Sequence, residues 1–435
     1  MAVSLAVVTM VGVVSVLQSE AGNPPPPLVA PPHPAPAPPV ALRWVVDPSG
    51  TQQISDVVGP QAAGGDTLPR FGVAGADLGH MFNVGGRIAI VFGDTYGGPP
   101  SPGRFFQLPH PDWRSNVFGW IDPQASPRDG FSINQMVTDA PNHAKELLHS
   151  RKVNGDEWTV IPTYGIDVGS RIYLHYMSVA TDFAHPGRWP LNYAGVAFSD
   201  DGGRTWARPQ DAQWPADTRF GQVAYVRPGG ADDPDAPDPP RAAGVPRLPT
   251  ASLSTIYPKN PYATTFPDPR DNTVYVYGIP GGRYGDVSLA AVPQDKLLDR
   301  SAYRYWTGTE WSSDEQAATS VIKGPVGELS VRYNTYYKTW MMMYLVDSTG
   351  QIVLRTSPNP TGPWGDPQVV TTTRDHPLGY APYLTPRWND GPDIWFTLST
   401  YRDYRVSLLH TQLRSRPATD PLPKDVQAAV PPARR

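Results

Sequence analysis

The sequence predicts an all-β fold, a five-bladed β-propeller with antiparallel blades. Its 435 residues include 53 Pro and 40 Gly but only 6 Glu and 7 Lys, and Glu and Lys are among the better helix formers. The 13 Trp, 21 Tyr and 12 Phe favour strands instead. The third observation is a unit of three extended runs separated by turn residues, which recurs five times between residues 66 and 415.

The second run of each unit is the most regular, with alternating apolar and aromatic residues. These second runs are 86–94, 170–178, 272–280, 338–346 and 392–400. The first runs are 72–82, 158–165, 261–268, 327–334 and 381–388. The third runs are 115–121, 192–199, 286–292, 351–357 and 404–411. Such repetition suits a radial antiparallel array better than a parallel sheet, and a pair of β-sandwiches is the alternative.

One hairpin carries a propeller signature. The segment SDDGGRTW (199–206) resembles the Asp-box hairpin of sialidase-like propellers, and it recurs in part at 357–364. The matching positions are Ser199, Asp201, Gly203, Thr205 and Trp206. We expect the carboxylate to close a tight turn and the tryptophan to pack back between strands, so the predicted role of this motif is structural.

The two ends of the chain are predicted to lie outside the propeller. Residues 1–21 resemble a signal peptide, because an apolar run too short to cross a bilayer ends at small residues. An uncleaved anchor and a buried strand are the alternatives. Residues 22–65 are predicted to be a Pro-rich spacer and lead-in, and 416–435 a disordered tail. The catalytic propeller would span 66–415. We therefore expect a protein that is secreted or held in the cell envelope, with no stable membrane span after cleavage.

Composition also bears on partners and cofactors. The net charge is −4 and no block of Lys or Arg occurs, so no nucleic-acid partner is predicted. The absence of cysteine excludes disulfides and thiolate metal sites. The nine histidines lack the spacing of a zinc site. We therefore predict no cofactor and a monomer. A structural cation such as calcium at the propeller centre stays open, without a ligand set.

Two aspartates stand out on one predicted rim of the propeller. Antiparallel order places the start of each first strand, the end of the second and the start of the third on the same rim. Asp77 and Asp94 fall there, on adjacent strands of one blade. Glycoside hydrolysis needs at least two carboxyl groups that converge on the bond to be cut. Their mutual repulsion would raise the pKa of one of the two aspartates. The alternative is that Asp94 caps a turn and Asp77 binds backbone amides.

Further side chains on this rim are candidates for substrate binding. They are Trp113, Arg114, Asn116, Asp286, Glu328 and Tyr380. Trp113 offers a ring for stacking on a sugar, and Arg114 and Asn116 offer hydrogen bonds to hydroxyls. The alternatives are blade packing for the first three residues and a surface strand charge for Glu328.

Six short motifs in a fixed order carry a resemblance to a known family. They are ADLG (76–79), VFGDT (91–95), RSN (114–116), GELSVRYN (327–334), VLRTSPNPTGPWG (353–365) and WFTLST (395–400). From about Phe71 to Leu413 the chain resembles secreted actinobacterial proteins catalogued as domain of unknown function 4185 and later classed in glycoside hydrolase family 183.

The resemblance implies an endo-D-arabinanase on a five-bladed propeller. Such an enzyme cuts α-D-arabinofuranosyl linkages of mycobacterial arabinogalactan or lipoarabinomannan, so arabinan is the implied substrate. The family's aspartates in the DLG and GDT motifs match Asp77 and Asp94. The Asp/Pro-rich insertion at 228–249 departs from the family pattern. A non-catalytic glycan-binding propeller and a hydrolase of another furanoside, such as L-arabinan, are the alternative functions.

Overall fold

The structure is a computed structural model that describes residues 42–98, 112–185, 187–227, 273–388 and 391–429. The predicted signal peptide, residues 22–41 of the predicted spacer and lead-in, and the insertion at 228–249 lie outside these residues. The described chain is almost entirely β, which confirms the predicted fold class. It has one α-helix, α1 (Thr67–Phe71), and short 3₁₀ turns at Pro127–Asp129, Gln210–Ala212, Gln294–Lys296, Arg300–Ala302 and Glu315–Ala317. In this part of the chain no helix combines the length and apolar character that a membrane crossing requires.

The strands form five blades in chain order, apart from the first strand. That strand, β1 (Leu42–Asp56), belongs to blade five. Blade one has β2 (Gly75–Val84), β3 (Arg87–Tyr96), β4 (Trp113–Arg114), β5 (Val117–Ile121) and β6 (Ile133–Met136), and a small hairpin follows, β7 (Thr138–Ala140) with β8 (His143–Ala144). Blade two has β9 (Thr159–Val168), β10 (Arg171–Val179), β11 (Leu191–Ser199) and β12 (Gln213–Pro215).

The remaining blades repeat this arrangement. Blade three has β13 (Gln222–Val226), β14 (Thr273–Ile279), β15 (Gly285–Pro293), β16 (Arg304–Trp306), β17 (Trp311–Ser312) and β18 (Ser320–Val326). Blade four has β19 (Leu329–Asn334), β20 (Thr339–Val346), β21 (Gln351–Ser357) and β22 (Gln368–Thr372). Blade five has β23 (Gly379–Leu384), β24 (Ile394–Thr400) and β25 (Arg405–Pro417), with β1 outside them.

The first strands of the blades surround the centre. β2, β9, β13, β19 and β23 contact one another in a closed ring. Second and third strands follow outward with antiparallel register, as in β19, β20 and β21. The blades are filled by large buried side chains such as Trp340, Tyr277 and Phe396. In each blade the start of the first strand and the end of the second strand therefore lie on the same rim, as the sequence predicts.

The predicted limits of the propeller are wrong at both ends. Strand β1 pairs with β25 from Leu42 opposite Pro417 to Asp56 opposite Ser407, so residues 42–56 are the outermost strand of blade five and not a lead-in. In the predicted tail, Val426 is fully buried and its carbonyl accepts a hydrogen bond from the backbone of Val369 at 2.9 Å. Local patterning missed both segments because their partners lie far away in the chain.

One predicted strand is also misplaced. The run 261–268 lies outside the described residues, and the first described strand of blade three is β13, Gln222–Val226. β13 pairs with β14 across the intervening insertion, with Gln222 opposite Ile279. The long separation between these strands hid the pairing. The predicted second and third runs of all five blades match strands to within about two residues where the chain is described, except at the end of the last run, 404–411, where β25 continues to Pro417.

The Asp-box hairpin has its predicted structural role. The Asp201 carboxylate accepts hydrogen bonds from the backbone of Arg204 at 3.0 Å and of Thr205 at 2.9 Å, and from the Thr205 hydroxyl at 2.6 Å. The Trp206 indole lies 6.1 Å from the Phe118 ring of the preceding blade. The motif therefore closes a turn on the rim opposite Asp77 and Asp94.

Candidate active site

The two predicted catalytic aspartates face each other across a β-bulge in blade one. Ala76 pairs with Thr95 and Leu78 pairs with Phe92, so Asp77 alone stands opposite both Gly93 and Asp94. A Cβ on Gly93 would lie 2.4 Å from Asp77 Oδ1, which is closer than atoms can approach. Glycine is therefore required at 93 for the Asp77 carboxyl group to lie where it does. Bulges of this kind commonly re-aim side chains beside active sites.

The backbone is strained on both sides of this site. Leu78, next to Asp77, has a φ of 65°. Ala381, next to Tyr380, has a φ of 51°, and the register of β23 with β24 shifts just there. Non-glycine residues rarely adopt positive φ, and such strain concentrates at functional sites, where the surrounding structure enforces it.

Asp94 is a buried carboxyl group with two donors. It is only 3% exposed. Its Oδ1 accepts hydrogen bonds from Trp113 Nε1 at 2.9 Å and from the Thr159 hydroxyl at 2.7 Å. Burial raises the pKa of Asp94 to about 6, although these two hydrogen bonds and the charge of Lys152 oppose the rise. The donors favour the ionised form, so Asp94 is a carboxylate near neutral pH.

Asp77 has a higher pKa than Asp94. The residue is partly exposed, but its Oδ1 is buried and meets no donor at ordinary hydrogen-bond geometry among the described residues. Its Oδ2 accepts a hydrogen bond from the Tyr380 hydroxyl at 2.8 Å. Burial first and the nearby charge of Asp94 second raise the pKa of Asp77 to about 8, with a smaller contribution from Glu328 and opposed by the Tyr380 and Tyr404 hydroxyls.

The two carboxyl groups therefore titrate as an interacting pair. Two carboxyl groups that face each other across one bulge disfavour double ionisation, so one proton is retained near neutral pH. The two donors to Asp94 stabilise it as the carboxylate of the pair, and the proton is held on Asp77. One acid and one carboxylate on a common rim are the groups that general acid–base or nucleophilic chemistry at an acetal requires.

A third carboxylate lies beside the pair, with its own cation. Glu328 is 4% exposed, and its Oε1 accepts hydrogen bonds from Arg283 Nε at 3.0 Å and Nη2 at 2.8 Å. Arg283 Nη1 also lies 3.2 Å from Asp347 Oδ1. Of the predicted binding residues, Glu328 and Tyr380 thus lie with Asp77. Trp113 is 6% exposed and donates to Asp94, so it supports a catalytic candidate rather than offering an open ring.

The other three predicted binding residues each have polar partners within the protein. Arg114 is 4% exposed and donates to the carbonyls of Ala144 and Gly72. The Asn116 amide is fully buried and bonds only backbone groups of the following loop and of blade two. Asp286 accepts hydrogen bonds from the neighbouring β18, including the backbone of Gly324 at 2.8 Å. These contacts favour a structural role for the three residues, and sugar binding by them stays a prediction.

Sequence reasoning missed several residues of the site. They are Thr159, Arg283, Tyr404 and Asp347. Arg283 stands in the turn between β14 and β15, on the predicted rim, and this position is the signal that could have found it. Its ion pair with Glu328 depends on how blades three and four pack together. Among the described residues no group of three or more His, Asp or Glu side chains is placed to hold a metal ion, and a central cation stays a prediction.

A cavity of about 40 Å³ lies at the other end of the central channel and is separate from this site. It is lined by residues at the far ends of first strands, including Asn83, Tyr164 and Arg227. Arg227 pairs there with Asp167 at 3.1 Å. None of the carboxyl groups around Asp77 lines this cavity.

Residues 62–410 match DUF4185, described as a domain of unknown function. The chain belongs to this family. The DUF4185 protein is 28% identical to Notoamide biosynthesis cluster protein J' of Aspergillus versicolor in an alignment that covers 81% of this chain and 88% of the relative. It is also 28% identical to Notoamide biosynthesis cluster protein J of Aspergillus sp. (strain MF297-2), over 76% of this chain and 81% of the relative.

Solved structures support the fold of this DUF4185 protein. A Bacteroides ovatus protein with a provisional description as a hydrolase superposes with a TM-score of 0.52 and 11% identity, over 79% of this chain and 87% of the other. A family 117 glycoside hydrolase of Zobellia galactanivorans gives a TM-score of 0.43 and 9% identity, over 85% and 91% of the two chains. The first match supports the propeller architecture alone, and the second is too weak to bear on function.

Proposed function

We propose that this protein is a secreted glycoside hydrolase that cleaves α-D-arabinofuranosyl linkages within mycobacterial cell-wall arabinan. The observation that carries the proposal is the pair Asp77 and Asp94, whose carboxyl groups share one bulge and hold different protonation states near neutral pH. Retaining and inverting glycosidases both use such a pair. Arabinan as the substrate and an endo mode of attack rest on the motif resemblance of the chain.

Each aspartate has a distinct role in this proposal. Asp77 donates its proton to the leaving glycosidic oxygen, because its raised pKa keeps it protonated at neutral pH. Asp94 acts on the anomeric carbon as a carboxylate, either directly or through a water molecule. Both of its donors bind Oδ1, and we assign the attack or proton abstraction to Oδ2. The enzyme would work as a monomer without a cofactor, outside the cell.

The test is digestion of purified arabinogalactan, with chromatography of the released oligosaccharides. We expect the wild-type chain to release arabino-oligosaccharides of several lengths, as an endo-acting enzyme does. Asp77→Asn and Asp94→Asn should each lower kcat by about 10²–10⁴-fold, the usual contribution of a general acid or base. Asp200→Asn is the matched control, because Asp200 is an exposed partner of Arg171 beside the Asp box on the opposite rim.

Three results would redirect the proposal. Near-full activity in both variants would remove the catalytic roles of Asp77 and Asp94. Saturable binding of arabinan without any product would identify a glycan-binding propeller. Release of product from L-arabinan but not from D-arabinan would keep the hydrolase and change the furanoside.

A further inference from the structure

Arg283 is the cation in the cluster around Asp77. It lies in the turn between β14 and β15, and its side chain is 16% exposed. Two of its nitrogens bind Glu328 Oε1, at 3.0 and 2.8 Å, and Nε also lies 3.2 Å from Oε2. A third nitrogen donates to Asp347 at 3.2 Å. Guanidinium–carboxylate contacts of this kind are strong and directional because both groups are charged.

The backbone of this turn is anchored to blade two. The Arg283 amide donates to the Gly187 carbonyl at 2.9 Å. Gly282 has a φ of 86°, and a Cβ on it would lie 2.5 Å from the same carbonyl oxygen, so only glycine allows this approach. The Arg283 backbone is thus held by blade two, and its side chain is held by Glu328 at the start of blade four.

The same guanidinium reaches Asp77 through Tyr380. It lies 4.9 Å from the centre of the Tyr380 ring, in the arrangement of a cation–π contact. The Tyr380 hydroxyl donates to Asp77 Oδ2 at 2.8 Å. Arg283 therefore contacts both the Glu328 carboxylate and the phenol that binds the proposed acid.

Charged groups from three other elements surround Asp77. Asp94 lies on β3, Glu328 immediately before β19, and Arg283 before β15. The other titratable groups that sense Asp77 are tyrosines: Tyr96, Tyr380, Tyr383, Tyr401 and Tyr404. Burial raises the pKa of each of these phenols, so they stay neutral at the pH of the proposed reaction. Glu328 is then the negative charge that raises the pKa of Asp77 besides Asp94, and Arg283 is the cation bound to Glu328.

We propose that Arg283 and Glu328 form a positioning pair for the acid, in which Arg283 fixes Tyr380 against Asp77 and Glu328 keeps Asp77 protonated. This inference rests on the proposed function for its role in catalysis. Glu328 is then not the proton donor, although it is a buried carboxylate of the same site. The balance of the pair, rather than either charge alone, sets the protonation of Asp77.

The two charges have opposite effects when removed singly. Glu328→Gln removes a negative charge and leaves Arg283 with Asp347 as its remaining carboxylate partner, so Asp77 should lose its proton at lower pH. Arg283→Gln leaves Glu328 unopposed, so Asp77 should hold its proton to higher pH. A full charge within about 4–6 Å moves a pKa by about 1–3 units, so shifts of about one pH unit are expected. The double variant should titrate close to the wild type.

The experiment is a ¹³C NMR titration of aspartate side-chain carboxyl groups in the full chain, with the Asp77 signal assigned by its loss in Asp77→Asn. The readout needs no turnover, so it separates this inference from the proposed function. Arg283→Lys is the conservative variant: it keeps the charge but loses the bidentate contact. It should leave the Asp77 midpoint within about half a unit while lowering kcat, because Tyr380 is no longer held by a planar cation.

Opposite shifts in the two single variants, with near-recovery in the double variant, support the positioning pair. An Asp77 midpoint that is the same in Glu328→Gln, Arg283→Gln and the wild type would overturn it. So would loss of all turnover in Glu328→Gln with the Asp77 titration unchanged, because Glu328 would then be the acid. Should Arg283→Gln fail to fold, Glu328→Gln and Arg283→Lys still decide between these results. Absence of arabinan hydrolysis together with opposite shifts would overturn only the proposed function.

Discussion

At the scale of single residues, two identical side chains acquire different chemistry from their neighbours. Asp94 receives hydrogen bonds from Trp113 and Thr159 on one oxygen. Asp77 has the Tyr380 hydroxyl and lies near the charges of Asp94 and Glu328. Donors stabilise a carboxylate, and neighbouring negative charge destabilises it. The residue type therefore does not determine which aspartate is the acid, whereas the surroundings do.

The first prediction at this scale concerns pH. The proposed reaction needs Asp94 ionised, so activity should fall as the pH drops through about 6. It also needs Asp77 protonated, so activity should fall as the pH rises through about 8. A plot of kcat/KM against pH should be bell-shaped with its maximum near neutrality, and the two limbs belong to the pair as a whole. A rate that stays constant from pH 5 to pH 9 would contradict the assignment.

The second prediction at this scale concerns stability. The folded-state pKa of Asp77, about 8, lies above the ordinary value of 3.8. The folded state therefore binds the proton more tightly than the unfolded state, and its stability decreases as the pH rises between these values. Asp77→Asn removes the ionisation and should raise Tm by about 1–3 °C at pH 8. The gain should disappear near pH 4, and Asp200→Asn should show none.

At the scale of elements, hairpins and bulges determine what each strand end presents. The bulge in β2 and β3 brings Asp77 opposite Asp94. The Asp-box turn has no part in the site and instead closes a hairpin of blade two on the other rim. Its carboxylate, Asp201, accepts four hydrogen bonds from its own turn, including one from the Ser199 hydroxyl at 2.8 Å. The Asp-box turn and the proposed catalytic pair thus lie at opposite ends of the strands.

The prediction at this scale is that Asp201→Ala destabilises the fold without changing kcat. Burial acts to raise the pKa of Asp201, but hydrogen bonds from Thr205, Ser199 and Arg204 outweigh it and lower the pKa to about 2. The stabilising bonds are present above the ordinary pKa of 3.8 and are lost as the pH falls through about 2. Their removal should cost about 1–2 kcal/mol at neutral pH, measured by denaturant unfolding. Asp200→Ala, which breaks an exposed ion pair, should change little.

At the scale of the whole molecule, the ring is closed by the two ends of the described chain. β1 is the outer strand of blade five, whose other strands come from residues 379–417. The Gln368 side chain adds a link to blade four: it accepts from the Val46 amide at 2.8 Å and donates to the Trp44 carbonyl at 3.0 Å. One antiparallel pairing therefore joins the first described strand to the last.

The prediction at this scale is that a chain starting at residue 57 loses stability as a whole. Removal of β1 exposes the edge of β25 and uncovers the contacts of Val45 and Val46, which are each 2% exposed. We expect a large fall in Tm and a tendency to aggregate through the free strand edge. A chain starting at residue 42 is the control for removal of the preceding segment. Equal melting temperatures for the two truncations would show that β1 is dispensable.

The sequence alone determined the fold class, most strands and the rim on which Asp77 and Asp94 lie. Alternation within a strand and turns between strands are local properties, and antiparallel order turns position in a blade into position on a rim. The Asp-box turn was equally readable because its partners lie within six residues of one another. These features need no knowledge of which blades meet.

Only the tertiary structure decided how distant segments pair and which polar groups face the site. The strand at 42–56 finds its partner at 405–417, the first strand of blade three lies before a long insertion, and Arg283 binds Glu328 of the next blade. Arg114 and Asn116 bind backbone groups that sequence does not bring near them. The physical reason is that long-range pairing depends on the packing of whole blades, which leaves no periodic signal in either partner.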